Sequence, residues 1–130
     1  MDKPSEFMWG LAKQLIAAEA VARNGSDEHE AFRVCEKLRA SVTRFAGADS
    51  FTALMRRSLA MSRADVPALE TVKIGAGGCV DGLEKLANNG GAEAGAAITA
   101  HLLLLLITFI GETMALRLVR EAWPDAALGD

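Results

Sequence analysis

The sequence predicts an all-α fold: an antiparallel helical bundle of about four main helices, with a short glycine-rich loop or hairpin before a long apolar C-terminal helix. Three observations carry this. Apolar residues fill 51% of the 130 positions, and with no Tyr, five Phe and two Trp that fraction is mostly Ala and Leu. These are the best helix formers, because they lose little side-chain freedom in a helix. Apolar residues recur at helical spacing through the first half of the chain. Asn-Gly, Gly and Pro fall where those patterns stop.

The first helix is expected over about residues 4–23. Pro4 suits a first helical position, where its missing N–H costs nothing. Met8, Leu11, Ala12, Leu15 and Ala22 share a helical spacing, Lys13, Gln14 and Glu19 are assigned elsewhere around the wheel, and Asn24-Gly25 ends the helix. The second helix, about 27–46, opens on Asp27 and Glu30, a capping-box pattern with Asp replacing the usual Ser or Thr. Ala31, Val34, Cys35, Leu38, Val42 and Phe45 then form one apolar stripe on a charged cylinder, and Gly47 terminates it. A third helix, about 49–64, turns Phe51, Leu54, Met55 and Leu59 inward. It stops near Asp65 because Pro67 disfavours helical geometry at Val66.

Residues 66–91 read as irregular. Val72-Lys73-Ile74 and Cys79-Val80 flank Gly75-Ala76-Gly77-Gly78, a pattern for a very short hairpin. The glycine run lacks the Lys-Ser/Thr of a phosphate loop, and Val80 stands where a dinucleotide fingerprint needs its third glycine. It reads as a turn. Asp81 to Asn88 gives two turns of helix before the break at Asn88-Asn89-Gly90-Gly91.

The last helix is expected over about 92–122, with Gly111 the one residue inviting an interruption. Leu102 to Ile107 are consecutive large aliphatics, extended by Phe109 and Ile110. A helix apolar nearly all round is a buried core helix, an interface helix or a membrane span. The run from Gly95 to Gly111 lies at the lower edge of the ~17–25 residues a span needs. It also contains Thr99, His101 and Thr108. Arg117 and Arg120 follow its end, so the positive-inside rule would send the whole charged front across the bilayer. A core helix is the expectation. At ~1.5 Å per residue an unbroken 92–122 helix outreaches its neighbours. Either it breaks at Gly111 or a second copy covers it. A homodimer through Leu102, Leu103, Leu106, Phe109 and Ile110 is the expectation, because a self-complementary apolar face builds two-fold contacts.

The candidate site residues are polar. His101, Thr108 and Glu112 fall within about 20° of one line on an unbroken helix. They suit a polar network or a small-ligand site. His101 and Glu112, with bases ~16 Å apart, cannot chelate one metal from a single helix, so no metal is assigned. Arg56, Arg57 and Arg63 supply possible ion-pair or anion contacts, and partners for Glu112 should it be buried. Cys35 falls on an apolar stripe and should behave as a buried hydrophobe. Cys79 has no basic neighbour in sequence to activate it, and His29 reads as exposed. No catalytic residue and no cofactor is assigned.

Net charge is −3. Residues 1–65 hold ten Lys/Arg against nine Asp/Glu and residues 66–130 hold four against eight, so no basic field marks a nucleic-acid binder. Two distant cysteines form no disulfide framework, and the opening residues show no signal-peptide pattern. The expectation is a single cytoplasmic domain over 1–130: a non-catalytic interaction or regulatory module, homodimeric and able to engage another protein. A ligand-binding protein or enzyme using the polar stripe is the alternative, and a membrane-anchored protein the third.

Overall fold

The computed structural model describes residues 4–22, 30–75, 80–81 and 91–123. It is all-α: helices α1 (Glu6–Ala22), α2 (Glu30–Ala46), α3 (Ala48–Asp65), α4 (Gly91–Ile110) and α5 (Glu112–Ala122). A 3-10 turn, Pro67–Thr71, follows α3. Two-residue strands β1 (Lys73–Ile74) and β2 (Val80–Asp81) then pair antiparallel, Lys73 opposite Asp81 and Ile74 opposite Val80. Ala76-Gly77-Gly78 of the glycine run, Cys79, His29, the ends assigned to Asn24-Gly25 and Asp27, and residues 82–90 of the helix and break expected over 81–91 lie outside the described residues, while Asp81, expected to open that helix, lies in β2.

The bundle is built around α4, which packs against α1, α2, α3 and α5. Every residue from Ala94 to Leu106 is buried. Neighbouring helices supply the complementary stripes: Leu11, Ala12 and Leu15 from α1, Val34, Cys35, Leu38 and Val42 from α2, and Phe51, Met55 and Leu59 from α3. Among the side chains whose burial is described, periodicity places the apolar residues of these three faces correctly, Leu54 being half-buried, with one exception. Phe45, the last residue of the α2 stripe, is 51% exposed, on the wall of an open groove between α2 and α5.

The helix expected over 92–122 is two helices. Gly111 separates α4 from α5 with φ 92° and ψ 154°, a region essentially reserved for glycine. Its N–H donates to the Ile107 carbonyl (2.8 Å) and its own carbonyl accepts from the Ala115 N–H (3.0 Å). One residue therefore closes one helix and opens the next. Gly47 joins α2 to α3 in the same way, with φ 93° and ψ 157°. The bend at Gly111 resolves the length mismatch: α4 alone is ~30 Å long, close to the ~26 Å of its neighbours. α5 then covers the bundle with Ala115, Leu118 and Val119.

Pro67 acts as its position implies. Val66 is extended (φ −131°, ψ 91°), and its N–H closes α3 on the Ser62 carbonyl. Arg63 spans this corner, its Nε donating to the Leu69 carbonyl (3.2 Å) and its Nη2 to the Val72 carbonyl (2.8 Å).

One stretch among the described residues, Glu93–Ile110, is long and apolar enough to cross a membrane, and 72% of it is buried inside the bundle. The last turn of α4 differs from the rest. Ile107 and Ile110 are half-buried and Phe109 is 58% exposed.

Candidate functional site

Polar chemistry inside the bundle gathers at two places. The first centres on Glu19, whose side chain is fully buried. Met8, Leu11, Ala12, Leu15, Glu19 and Ala22 have the same relative spacing as the apolar stripe of α2, so Glu19 occupies a core position of α1. The carboxylate is satisfied from two other parts of the bundle. Arg33 Nε donates to Oε1 (2.8 Å), while Lys37 Nζ and Trp123 Nε1 (2.9 Å) donate to Oε2. The Lys37 ammonium also lies 5.5 Å from the centre of the Trp123 ring, within cation–π range. Burial pushes the Glu19 carboxyl upward, but hydrogen bonds from Lys37, Arg33 and Trp123 outweigh it and hold the group below its ordinary range. A carboxylate so saturated is an anchor tying α1, α2 and the end of α5 together.

This burial corrects the expectation that Glu19 lies elsewhere around the wheel from the apolar residues of α1. The missed signal was its position on the stripe, with two cations one turn apart on the next helix and an indole N–H downstream.

The second place is His101, buried in the middle of α4. Its Nε2–H donates to Asp65 Oδ2 at the end of α3 (2.8 Å). The Trp9 ring of α1 stands edge-on to the imidazole, with centroids 6.5 Å apart. Among the described residues, His101 Nδ1 and the neighbouring Thr99 Oγ1 are buried without a hydrogen-bond partner. Nearby, Ser58 Oγ donates to the Ile98 carbonyl (2.8 Å) and Ser62 Oγ to the Ser58 carbonyl (2.7 Å), stitching α3 to α4.

The stripe of His101, Thr108 and Glu112 does not form one site. His101 is enclosed by α3 and α1. Thr108 is exposed and donates its hydroxyl to the Leu104 carbonyl of its own helix (2.8 Å). Glu112 is exposed beyond the Gly111 bend, where the axis changes and the alignment ends. Being solvated, it needs no cation. Arg56 and Arg57 are exposed, and Arg63 is spent on the corner after α3.

The expected dimer interface also divides. Leu102, Leu103 and Leu106 are sealed inside the chain's own core, because α1, α2, α3 and α5 surround α4. Phe109 and Ile110 remain at the surface. Cys35 is buried as expected, and burial first, with Glu36 nearby, pushes its thiol up to about 12, so it is not a nucleophile at neutral pH.

An open groove of about 290 Å³ lies between α2 and α5, lined by Ser41, Arg44, Phe45, Met114, Arg117, Leu118 and Glu121. With Lys37 meeting Trp123 beyond it, α5 runs antiparallel to α2. Among these lining residues, Arg117 pairs with Glu121 at 3.6 Å. No group of three or more metal-ligating side chains occurs among the described residues.

No protein-family model, no curated protein and no solved structure matches this chain.

Proposed function

We propose that this protein is a non-catalytic helical interaction module that associates with a second copy of itself through the end of α4. The observation that supports the reading is Phe109, 58% exposed at the tip of a helix otherwise buried from Ala94 to Leu106. Ile107 and Ile110 adjoin it, half-buried, and turn a lone aromatic into a small apolar patch. Aromatic side chains, Phe among them, are enriched at the cores of protein contacts. The titratable groups inside the bundle have structural work: Glu19 binds three donors, His101 binds Asp65, and Cys35 is held as a neutral thiol. Recognition through surface shape therefore suits the molecule better than bond chemistry. Cytoplasmic residence accords with the reading.

The test is size-exclusion chromatography with light scattering on the full chain without detergent. The wild type should be dimeric at micromolar concentration, and Phe109→Ser should shift it to monomer with an unchanged helical circular-dichroism spectrum. A monomer at every concentration, or a dimer indifferent to Phe109→Ser, would falsify the proposal. Protein soluble only in detergent favours the membrane-anchored alternative.

A further inference from the structure

We infer that α5 is an exchangeable arm: when Gly111 straightens, α4 and α5 join into one helix and each α5 docks on α2 of a second copy. The inference rests on the self-association proposed above and names the segment that passes between copies.

Four observations lead to it. First, the joint is a single residue whose N–H already belongs to α4 and whose carbonyl already belongs to α5. Rotating Gly111 into helical dihedrals merges the two into one rod about 48 Å long. Second, the bend is held from a distance. A Cβ at Gly111 would meet nothing within 4 Å, and no proline lies near the joint. The sequence on both sides is helix-forming, which is why periodicity alone reads straight through it. Third, the contacts that hold the bend lie beyond it on one portable face. Ala115, Leu118, Val119 and Trp123 are buried, while Arg117, Arg120 and Glu121 face solvent. Trp123 fastens the far end to Glu19 and Lys37. In an exchanged dimer these contacts re-form unchanged, with the partner's Trp123 completing the Glu19 site, so exchange sacrifices none of them. Fourth, Phe109 is exposed two residues before the joint. In a two-fold exchange the arms cross at their joints, and Phe109 is placed where the copies meet.

Gly47 has the same backbone geometry but cannot serve equally. Beyond it lie α3, α4 and α5, whose exchange would dismantle the core, whereas beyond Gly111 the described chain holds α5 alone.

The experiment uses Gly111→Ala in the full chain. Alanine is strained at this dihedral, finds no steric obstacle and favours helix, so it destabilises the bent form and favours the straight one. The dimer dissociation constant should fall at least about tenfold, the backbone strain alone being worth that factor. To locate the arm, Phe45→Cys chains are co-expressed with Met114→Cys chains, each also carrying Gly111→Ala and Cys79→Ser, and treated with a short bismaleimide. Both positions line the α2/α5 groove. Covalent bridges between the two chain types support exchange. A folded Gly111→Ala monomer overturns it. A dimer whose groove bridges form only within a chain carrying both cysteines also overturns it, yet leaves association through Phe109 standing. Should Gly111→Ala fail to fold, a short Gly-Ser insertion after Gly111 decides: relaxing the joint should abolish the wild-type dimer, and an undiminished dimer refutes the exchange.

Discussion

Glu19 shows how much one misplaced charge on a stripe can mean. A carboxylate at a core position is costly unless several donors meet it, and here Arg33, Lys37 and Trp123 do. Glu19→Ala should leave the Trp123 N–H buried and unpaired and open a cavity beside it. An expected loss of about 2–4 kcal/mol follows, read from the urea midpoint of the circular-dichroism signal at unchanged slope. Acid titration supplies an independent check. The folded carboxyl is held below its ordinary range, so its stabilisation is complete above that range and fades as pH falls through the folded value. Wild-type stability should therefore drop on acidification more than that of Glu19→Gln, and parallel pH–stability curves would contradict the assignment. Cys35 gives a second prediction. With its thiol pushed up to about 12 and its side chain buried, it should resist alkylation by iodoacetamide in the folded protein. In a Cys79→Ser chain, modification should appear only on unfolding in urea, and rapid labelling under native conditions would show the α2 face to be open.

At the scale of elements, the two glycine joints govern how helices are cut and folded back. Gly47 and Gly111 hold nearly the same dihedrals, in a region where a side chain is strained whatever space surrounds it. Gly47→Ala should cost about 1–3 kcal/mol, read as a lower thermal midpoint, although its Cβ would touch nothing within 4 Å. A neutral result would mean that the joint relaxes into another turn. Helix existence was legible because three apolar stripes repeat at helical spacing and Pro67 ends α3. The break at Gly111 was not. An isolated glycine inside a helix costs only about 1 kcal/mol and does not by itself force a bend. What sets it is tertiary: α5 buries Leu118, Val119 and Trp123 against its own bundle. The polar stripe failed for the same reason, since His101 and Glu112 share a line only on an unbroken helix. Glu19 was legible in principle, from the parallel between its stripe and that of α2. Its donors were not, because Lys37 and Trp123 approach through packing that no local pattern specifies.

Over the whole molecule, α4 is the greasiest element and the best shielded, and its surroundings decide what its leucines do. Leu103 is fully buried among side chains of its own chain. Truncating it to alanine removes methyl groups from a close-packed interior that relaxes only in part, so both transfer energy and a residual cavity count against the fold. The expected loss is about 2–5 kcal/mol. Were α4 instead to face lipid, acyl chains would fill the gap and the substitution would remove little packing. The two environments thus predict different outcomes for one variant. Leu103→Ala, purified without detergent beside the wild type, should unfold at a clearly lower urea concentration with the same slope, and its loss should add to that of Glu19→Ala only to the extent that the two sites do not share partners. Equal midpoints would mean that the bundle does not enclose its central helix, and the argument for a patch confined to Phe109 and Ile110 would go with it.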